Sequence, residues 1–201
     1  MELIIVRHGQ TPWTITGQHT GTTEVELTDD GVREVALLAP HLARVLGGRT
    51  PRVFSSPRVR AQQTAELALP GLDPIIEPLL AEYDYGRYEG LTMAQIRELE
   101  PAWSIWADGC SGGETTDQVA ARADAFLASR HVDGDGPVIA VTHGHFSRVL
   151  AARALGRPAT DAAMLASSTA SMSVVRDEHA GRGLFLWNFT GHDNDLSVSG
   201  P

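Results

Sequence analysis

The sequence predicts an α/β protein: a single-domain, three-layer α/β/α sandwich with a mostly parallel sheet and an antiparallel edge. Apolar strand-like runs, the first at residues 3–7, alternate with segments of helical periodicity, as expected when helices cover both faces of a parallel sheet. No repeat or interdomain linker interrupts this pattern, which predicts one domain over residues 1–190 and a polar tail over residues 191–201. Two apolar runs at 171–176 and 184–189 flank a glycine-containing loop and predict a terminal hairpin, the antiparallel edge.

Two helices are predicted in the first third of the chain. Thr28 is the expected N-cap of the first helix, and Pro40 inside it is expected to kink or interrupt it. The inward face of this helix consists of Val35, Leu38, Leu42 and Val45. A short strand at residues 53–55 precedes the second helix. There Ser56 is the expected N-cap, Pro57 the first helical residue and Arg58 a residue of the first turn.

The middle of the chain predicts a helix that begins with a capping box. Thr92 and Gln95 have the spacing of that motif, and apolar residues then recur at helical spacing up to and past Pro101. These residues are Ile96, Leu99, Trp103 and Trp106. The tryptophans are expected in the core or in a pocket wall.

Another helix is predicted from Thr116 to about Arg130. Its face toward the sheet consists of Val119, Ala123, Phe126 and Leu127. The glycine- and aspartate-rich segment 133–137 predicts a turn into a strand at residues 138–142. One more helix is then expected to end near Gly156.

Polar residues follow two of these strands at the point where each strand ends. His8 comes directly after the first apolar strand, and His143 comes directly after the strand at 138–142. Ligands gather at the carboxyl ends of strands in open α/β sheets, so we expect the two histidines to meet in space. Arg58, at a predicted helix N-terminus, adds a fixed cation beside exposed N–H groups, which favours a phosphoryl group as the bound anion.

The amino-acid composition excludes or disfavours several kinds of binding partner and several kinds of chemistry. The formal net charge is −9, from 25 acidic against 16 basic residues, which disfavours nucleic acid or an anionic membrane as partner. Every basic residue is arginine, so lysine-based Schiff-base or phosphate-loop chemistry is excluded. The lone Cys110 excludes an intramolecular disulfide and a cysteine-based metal cluster. No basic and apolar leader precedes the first strand, and no apolar run has the length of a membrane span, so we expect a cytoplasmic protein.

Short sequence blocks from residue 3 to about residue 155 carry a family resemblance. The blocks are Arg7-His8-Gly9-Gln10-Thr11, Thr20-Gly21, Leu27-Thr28-Asp29-Asp30-Gly31, Ser55-Ser56-Pro57-Arg58, Glu82-Tyr83-Asp84-Tyr85-Gly86 with Glu89-Gly90, Gly112-Gly113-Glu114-Thr115, and Thr142-His143-Gly144. They stand in the same order in the histidine phosphatase superfamily, also called phosphoglycerate mutase-like, which the chain resembles. Among its members, actinobacterial acid phosphatases look most similar.

The resemblance implies a catalytic set. His8 matches the nucleophile, which attacks phosphorus in line and forms a phosphohistidine that water later hydrolyses. The residues that would surround the transferring phosphoryl group and neutralise its charge are Arg7, Arg58 and His143. Glu82 stands where the family keeps the proton donor for the leaving group, and Asp84 is the second choice. That role needs surroundings that favour the protonated carboxyl, and the apolar neighbours Leu79 and Leu80 are expected to provide them.

Further residues are expected to bind substrate. They are Thr14, Gln18, Thr20, Gly21, Tyr85, Gly144 and His145. Thr14 is a departure, since many relatives carry asparagine there. His19, like His145, is expected near the entrance of the site or as a solvent-exposed histidine. No metal and no cofactor is expected, because no histidine spacing with a carboxylate partner forms a known ligand motif and the arginines would repel a cation.

Four functions within the superfamily remain open at this point. The preferred one is an acid-phosphatase-type phosphomonoesterase that hydrolyses small phosphorylated metabolites. A phosphoglycerate mutase is poorly supported, because the segment 91–109 contains Arg97 as its only cation. A sugar-bisphosphatase would need a second group of cations, for which Arg87 and Arg148 are the candidates. A regulator that binds phosphoryl groups without turnover would lack His8 or the acid, and neither is missing. A homodimer is expected from the family alone.

Overall fold

The computed structural model describes residues 1–131, 136–179 and 181–192. Its strands, in chain order, are β1 (Glu2–Arg7), β2 (Arg52–Ser55), β3 (Ile75–Ile76), β4 (Pro137–Thr142), β5 (Ser171–Glu178) and β6 (Gly181–Thr190). They form a six-stranded sheet in the order β3-β2-β4-β1-β5-β6. Most of the turn expected at 133–137 and residues 193–201 of the expected tail lie outside the described residues.

The sheet is mostly parallel with an antiparallel edge, as the sequence predicts. β1 pairs in parallel with β4, and β2 pairs in parallel with both β4 and β3. β5 runs antiparallel to β1 and to β6, so the predicted terminal hairpin is confirmed as the edge. The central position of β1 and β4 brings the ends of these two strands together.

Helices cover both faces of the sheet. They are α1 (Pro12–Thr16), α2 (Asp29–Leu46), α3 (Val59–Ala68), α4 (Met93–Leu99), α5 (Ile105–Asp108), α6 (Thr116–His131) and α7 (Gly144–Ala154). Alternate side chains of β1 enter different cores: Leu3 and Ile5 pack with α6 and α7, whereas Ile4 and Val6 pack with α2 and α3. These two cores make the predicted three layers. No helix in the described part of the chain is long and apolar enough to cross a membrane.

The helix predicted after Thr28 and the helix predicted from Thr116 to about Arg130 are confirmed as α2 and α6. Thr28 caps α2 by accepting a hydrogen bond from the Gly31 N–H. Of the expected inward face, Val35, Leu38 and Leu42 are buried and Val45 is partly buried. The expected interruption at Pro40 is wrong, because α2 runs through this residue without a break. A proline removes one backbone donor from a helix, and the apolar stripe of α2 on the sheet offsets that loss.

Two other helix boundaries differ from the prediction. α3 begins at Val59 with Arg58 as its N-cap, so Ser56 and Pro57 precede the helix. The helix that begins after the Thr92 capping box ends at Leu99, and α5 is a separate helix. The reason is Pro101, which disfavours helical backbone at the preceding residue; Glu100 is accordingly extended. Leu99, expected inside, is therefore 63% exposed.

Candidate active site

His8 and His143 meet at the carboxyl ends of the two central strands. The parallel register pairs Arg7 with Thr142, so the next residue of each strand is a histidine. The backbone N–H of His8 donates to the Thr142 carbonyl at 3.0 Å, and the centroids of the two imidazole rings lie 5.2 Å apart. The strand register therefore brings together two residues that are far apart in the sequence.

The imidazole of His8 has a defined tautomer when neutral. Its Nδ1 lies 2.7 Å from the Gly9 carbonyl oxygen, which can only accept, so Nδ1 carries the hydrogen and Nε2 carries a lone pair. Burial lowers the pKa of His8 well below its usual range, and the charges of Arg60 and Arg7 lower it further. The lowered pKa favours the neutral imidazole of His8, and Nε2 has no hydrogen-bond partner among the described residues.

Arg60, which the sequence analysis did not single out, is buried against His143. Its side chain is fully buried, and its Nε donates to Nδ1 of His143 at 3.2 Å. The other guanidinium nitrogens donate to the carbonyl oxygens of Thr20, Gly21 and Thr23. A signal for Arg60 exists in the sequence, because it shares a helical spacing with the buried residues Ala61, Thr64, Ala65 and Ala68.

The sequence predicts Arg58 beside the transferring phosphoryl group, but its side chain pairs with Glu24. Its NH1 pairs with a carboxylate oxygen of Glu24 at 3.0 Å, and the other oxygen of Glu24 accepts from the Val59 N–H at 2.9 Å. The Arg58 side chain lines a neighbouring cavity, to which Glu82 and Asp84 also contribute. The correction follows from the helix boundary: with α3 beginning at Val59, Arg58 precedes the helix and Arg60 is on its inward face.

Arg7 and His143 complete the group around His8. Arg7 donates through NH1 to the Ser167 carbonyl, and its buried Nε has no hydrogen-bond partner among the described residues. Nε2 of His143 lies 2.7 Å from the hydroxyl oxygen of Ser56. Burial lowers the pKa of His143 well below its usual range, and Arg60 has the next largest effect in the same direction. Both imidazoles of the pair are therefore neutral.

The carboxylate of Glu82 is buried at the N-terminus of α7. One oxygen accepts from the N–H groups of Tyr83 at 3.0 Å and Phe146 at 2.8 Å, and the other accepts from the His145 N–H at 2.9 Å. Backbone donors at a helix N-terminus stabilise a charged carboxylate. These surroundings are more polar than the apolar neighbourhood expected for this residue. Asp84, the second choice for the acid, is exposed.

A cavity of about 200 Å³ opens above His8. Its lining residues are Arg7, His8, Thr14, Gly17, Gln18, His19, Thr20, Tyr85, Gly144, His145, Arg148 and Ser167. Six of the residues expected to bind substrate are in this set. The seventh, Gly21, is not, because its N–H donates to both carboxylate oxygens of Glu89 at 3.0 Å.

Several polar groups of the cavity wall are already engaged. The hydroxyl of Thr14 donates to the Thr11 carbonyl and accepts from the Thr11 N–H, as part of a capping box. The hydroxyl of Tyr85 lies 2.6 Å from Nδ1 of His145. Arg148 donates to the carbonyls of Ala162 and Ala163. The Arg148 guanidinium also lies 4.3 Å from the centroid of the Trp106 ring.

The fold and this site define an α/β protein with paired histidines and buried arginines at the carboxyl ends of its central parallel strands. The family model of the histidine phosphatase superfamily (branch 1) matches residues 3–190. The chain belongs to this superfamily. Its enzyme class is that of the phosphoric monoester hydrolases.

Individual relatives agree with this assignment. The chain is 44% identical over 198 residues to an acid phosphatase of Mycobacterium tuberculosis, a match that covers 98% of this chain and 96% of that protein. It is 35% identical to the sedoheptulose 1,7-bisphosphatase of Saccharomyces cerevisiae, over 74% of this chain and 65% of the yeast protein. The solved structure of an open reading frame product from Mycobacterium tuberculosis superposes with a TM-score of 0.90 at 43% identity, covering 95% of this chain and 98% of that one.

Proposed function

We propose that this phosphomonoesterase hydrolyses small phosphorylated metabolites, in the manner of an acid phosphatase, through a phosphohistidine formed on His8. The observation that carries the proposal is the free Nε2 of a neutral, buried His8 in a cavity that Arg7 also lines. A lone pair on a ring nitrogen is what in-line attack on phosphorus requires, whereas a protonated imidazole has none to give.

The first step transfers the phosphoryl group to the enzyme. The Nε2–P bond forms as the ester P–O bond breaks, and the electron pair of that bond stays with the departing alcohol oxygen. Arg7 supports this step because its unpartnered Nε is a donor for a phosphoryl oxygen, and its charge offsets the charge of the transferring group. Arg60 takes the role expected for Arg58, through its charge beside His8 and its hydrogen bond to His143.

His143 donates a hydrogen bond in this scheme. The Arg60 guanidinium can only donate, so the neutral His143 accepts at Nδ1 and carries its hydrogen on Nε2. In the described structure that Nε2 lies 2.7 Å from the Ser56 hydroxyl, and the proposal requires an ester oxygen to replace this hydroxyl as the acceptor. The imidazole is then a neutral donor to the phosphoryl group.

Glu82 is proposed to protonate the leaving-group oxygen and then to take a proton from the water that hydrolyses the phosphohistidine. Its burial and its charge interactions with Arg7 and Arg60 support a place next to the reacting group. The N–H donors at its carboxylate favour its charged form, which suits the second half of the cycle, when the residue acts as a base.

The finer expectations remain proposals as well. We propose that the enzyme acts in the cytoplasm, without a metal ion, and as a homodimer. The all-arginine set of cations around His8 supports metal-independent action, because these charges attract phosphoryl oxygens and repel a metal cation. Elemental analysis of the untagged protein, together with its mass in solution, tests the metal and the dimer.

The test of the proposed function is phosphate release from 4-nitrophenyl phosphate in metal-free buffer at mildly acidic pH. We expect turnover by the wild type, loss of turnover in His8→Ala, and wild-type rates in the control His179→Ala, which changes a fully exposed histidine. Turnover that survives in His8→Ala would rule out His8 as the nucleophile. A wild type with no turnover would favour a mutase or a protein that only binds phosphoryl groups.

A further inference from the structure

His19 lines the same cavity as His8 but has no part in the chemistry proposed above. Its side chain is only 7% exposed. Nδ1 lies 2.9 Å from the Leu91 carbonyl oxygen, so Nδ1 carries the hydrogen and donates. The other ring nitrogen, Nε2, has no hydrogen-bond partner among the described residues. His19 therefore leaves one buried acceptor unused.

The ring of His19 is held in one orientation by its neighbours. Tyr85 lies edge-on with ring centroids 4.8 Å apart, and Trp103 does the same at 5.8 Å. The ring of His145 stacks on His19 at 5.8 Å with an interplanar angle of 15°. The backbone of His19 is also fixed, since its N–H donates to the Leu91 carbonyl at 2.9 Å. A preorganised acceptor loses little entropy when a partner arrives.

The charge of the ring decides what kind of partner fits. Burial lowers the pKa of His19, and the Leu91 carbonyl and the charges of Glu82 and Glu89 offset only part of that effect. The ring is therefore neutral at neutral pH, and Nε2 accepts. A buried acceptor without a partner costs free energy, so a ligand that supplies a donor removes that cost.

We propose that Nε2 of His19 accepts a hydrogen bond from a hydroxyl group on the alcohol part of the substrate, so the enzyme prefers phosphomonoesters of polyols and sugars to simple alkyl phosphates. This inference rests on the proposed function, because it takes the cavity above His8 as the ester site. An ammonium group could also donate, but Arg7 and Arg148 line the same cavity and repel a cation. The arginines then bind the phosphoryl group, and His19 accepts a hydrogen bond from a neutral donor on the alcohol part of the substrate.

The experiment compares two esters that differ by one hydroxyl group, 1,2-propanediol 1-phosphate and propyl phosphate. The measured quantity is the ratio of their kcat/KM values in the wild type, His19→Phe and His19→Gln. Phenylalanine keeps the ring packing and removes the acceptor, whereas the glutamine carbonyl restores an acceptor near the position of Nε2. We expect the ratio to fall about tenfold in His19→Phe and to stay near the wild-type value in His19→Gln. The intrinsic difference in leaving-group reactivity cancels between variants.

Two controls separate the possible failures. Turnover of 4-nitrophenyl phosphate is measured in each variant as a reference, because that ester offers no hydroxyl donor and so reports losses of rate that do not depend on the hydroxyl contact. His19→Leu provides a second variant without an acceptor, and its ratio should match that of His19→Phe. If the ratio of the two kcat/KM values is equal in all four proteins, the inference is overturned and the proposed function stays intact. A preference of the wild type for phosphoethanolamine over the diol ester would have the same meaning. A wild type that hydrolyses none of these esters would overturn the proposed function itself.

Discussion

The Nε of Arg60 lies 3.2 Å from Nδ1 of His143, with the arginine as donor and the imidazole as acceptor. The same guanidinium holds the carbonyls of Thr20, Gly21 and Thr23. One buried side chain thus fixes the tautomer of a histidine beside His8 and the shape of a loop that borders the cavity. Replacing it should affect catalysis and stability together.

Arg60→Lys should lower kcat/KM for 4-nitrophenyl phosphate by about 100-fold, because lysine keeps the charge but loses the fixed donor to His143. The matched variant Arg58→Lys should change kcat/KM less than threefold (~0.7 kcal/mol), because the partner of Arg58 is Glu24 at the surface. Steady-state kinetics of both proteins checks this. Equal losses in the two variants would return Arg58 to the position that the sequence analysis gave it.

Glu82→Gln should slow esters with poor leaving groups far more than aryl esters, because only the former need a proton in the transition state. The loss of kcat/KM should be about 100-fold larger for the ester with the poor leaving group than for the aryl ester. The measurement compares glycerol 3-phosphate with 4-nitrophenyl phosphate in both proteins, and Asp84→Asn is the matched control on an exposed carboxylate. If Asp84→Asn shows the selective loss instead, the acid role belongs to Asp84.

Stability should fall as the solution is acidified below the ordinary histidine range. Burial is the largest cause that lowers the pKa values of His8, His143 and His145 well below 6.5; Arg60 comes next for His8 and His143, and His19 comes next for His145. Well above pH 6.5 these rings are neutral in both the folded and the unfolded chain and contribute no pH dependence. As the pH falls below 6.5 the unfolded chain takes up protons first, so folding weakens until the folded pKa values are reached.

Urea unfolding at pH 7.5, 6.5 and 5.5 measures this dependence. Each buried histidine contributes a slope of up to about 1.4 kcal/mol per pH unit in the acidic interval. His8→Asn should reduce the slope by about one proton, and the exposed-site variant His179→Asn should leave it unchanged. A slope equal in His8→Asn and wild type would mean that His8 is not neutral in the folded protein.

Gly21→Ala should destabilise the protein by about 2 kcal/mol and displace the loop that Arg60 holds. A Cβ at this position would lie 2.3 Å from the Tyr83 carbonyl oxygen and 2.9 Å from a carboxylate oxygen of Glu89. Gly136→Ala is the control, because its Cβ would meet only the Thr50 carbonyl, at an ordinary 3.7 Å. Urea unfolding compares the three proteins, and equal stabilities would show that the loop adapts at no cost.

The sequence predicts the sheet, its layers and the two histidine-bearing strand ends, because each depends on local patterns. Apolar periodicity marks β1 and β4, and parallel pairing of neighbouring strands then brings His8 to His143. Local sequence patterns could not show which of Arg58 and Arg60 lies beside His143. That depends on where α3 begins, and the SSPR segment contains capping residues that the folded chain uses differently: Ser56 contacts His143 instead of capping the helix.

The environment of Glu82 could not be predicted either. Its neighbours in sequence, Leu79 and Leu80, indicated apolar surroundings, but its hydrogen-bond donors come partly from residues 145 and 146 at the start of α7. Contacts between a loop and a distant helix terminus leave no periodic signal in the sequence. The unused acceptor of His19 is likewise visible only after the Leu91 carbonyl is seen to occupy Nδ1.

β1 lies between β4 and β5 in the sheet, and this position determines when the site can form during synthesis of the chain. β1 is synthesised before the other five strands, and both of its partners, β4 and β5, lie in the last third of the given sequence. His8 is therefore synthesised long before the strand that completes its surroundings, and this pairing of distant segments makes the sheet slow to form. A nascent chain that ends before residue 137 contains His8 without His143, so phosphatase activity should begin only when synthesis of the domain is nearly complete.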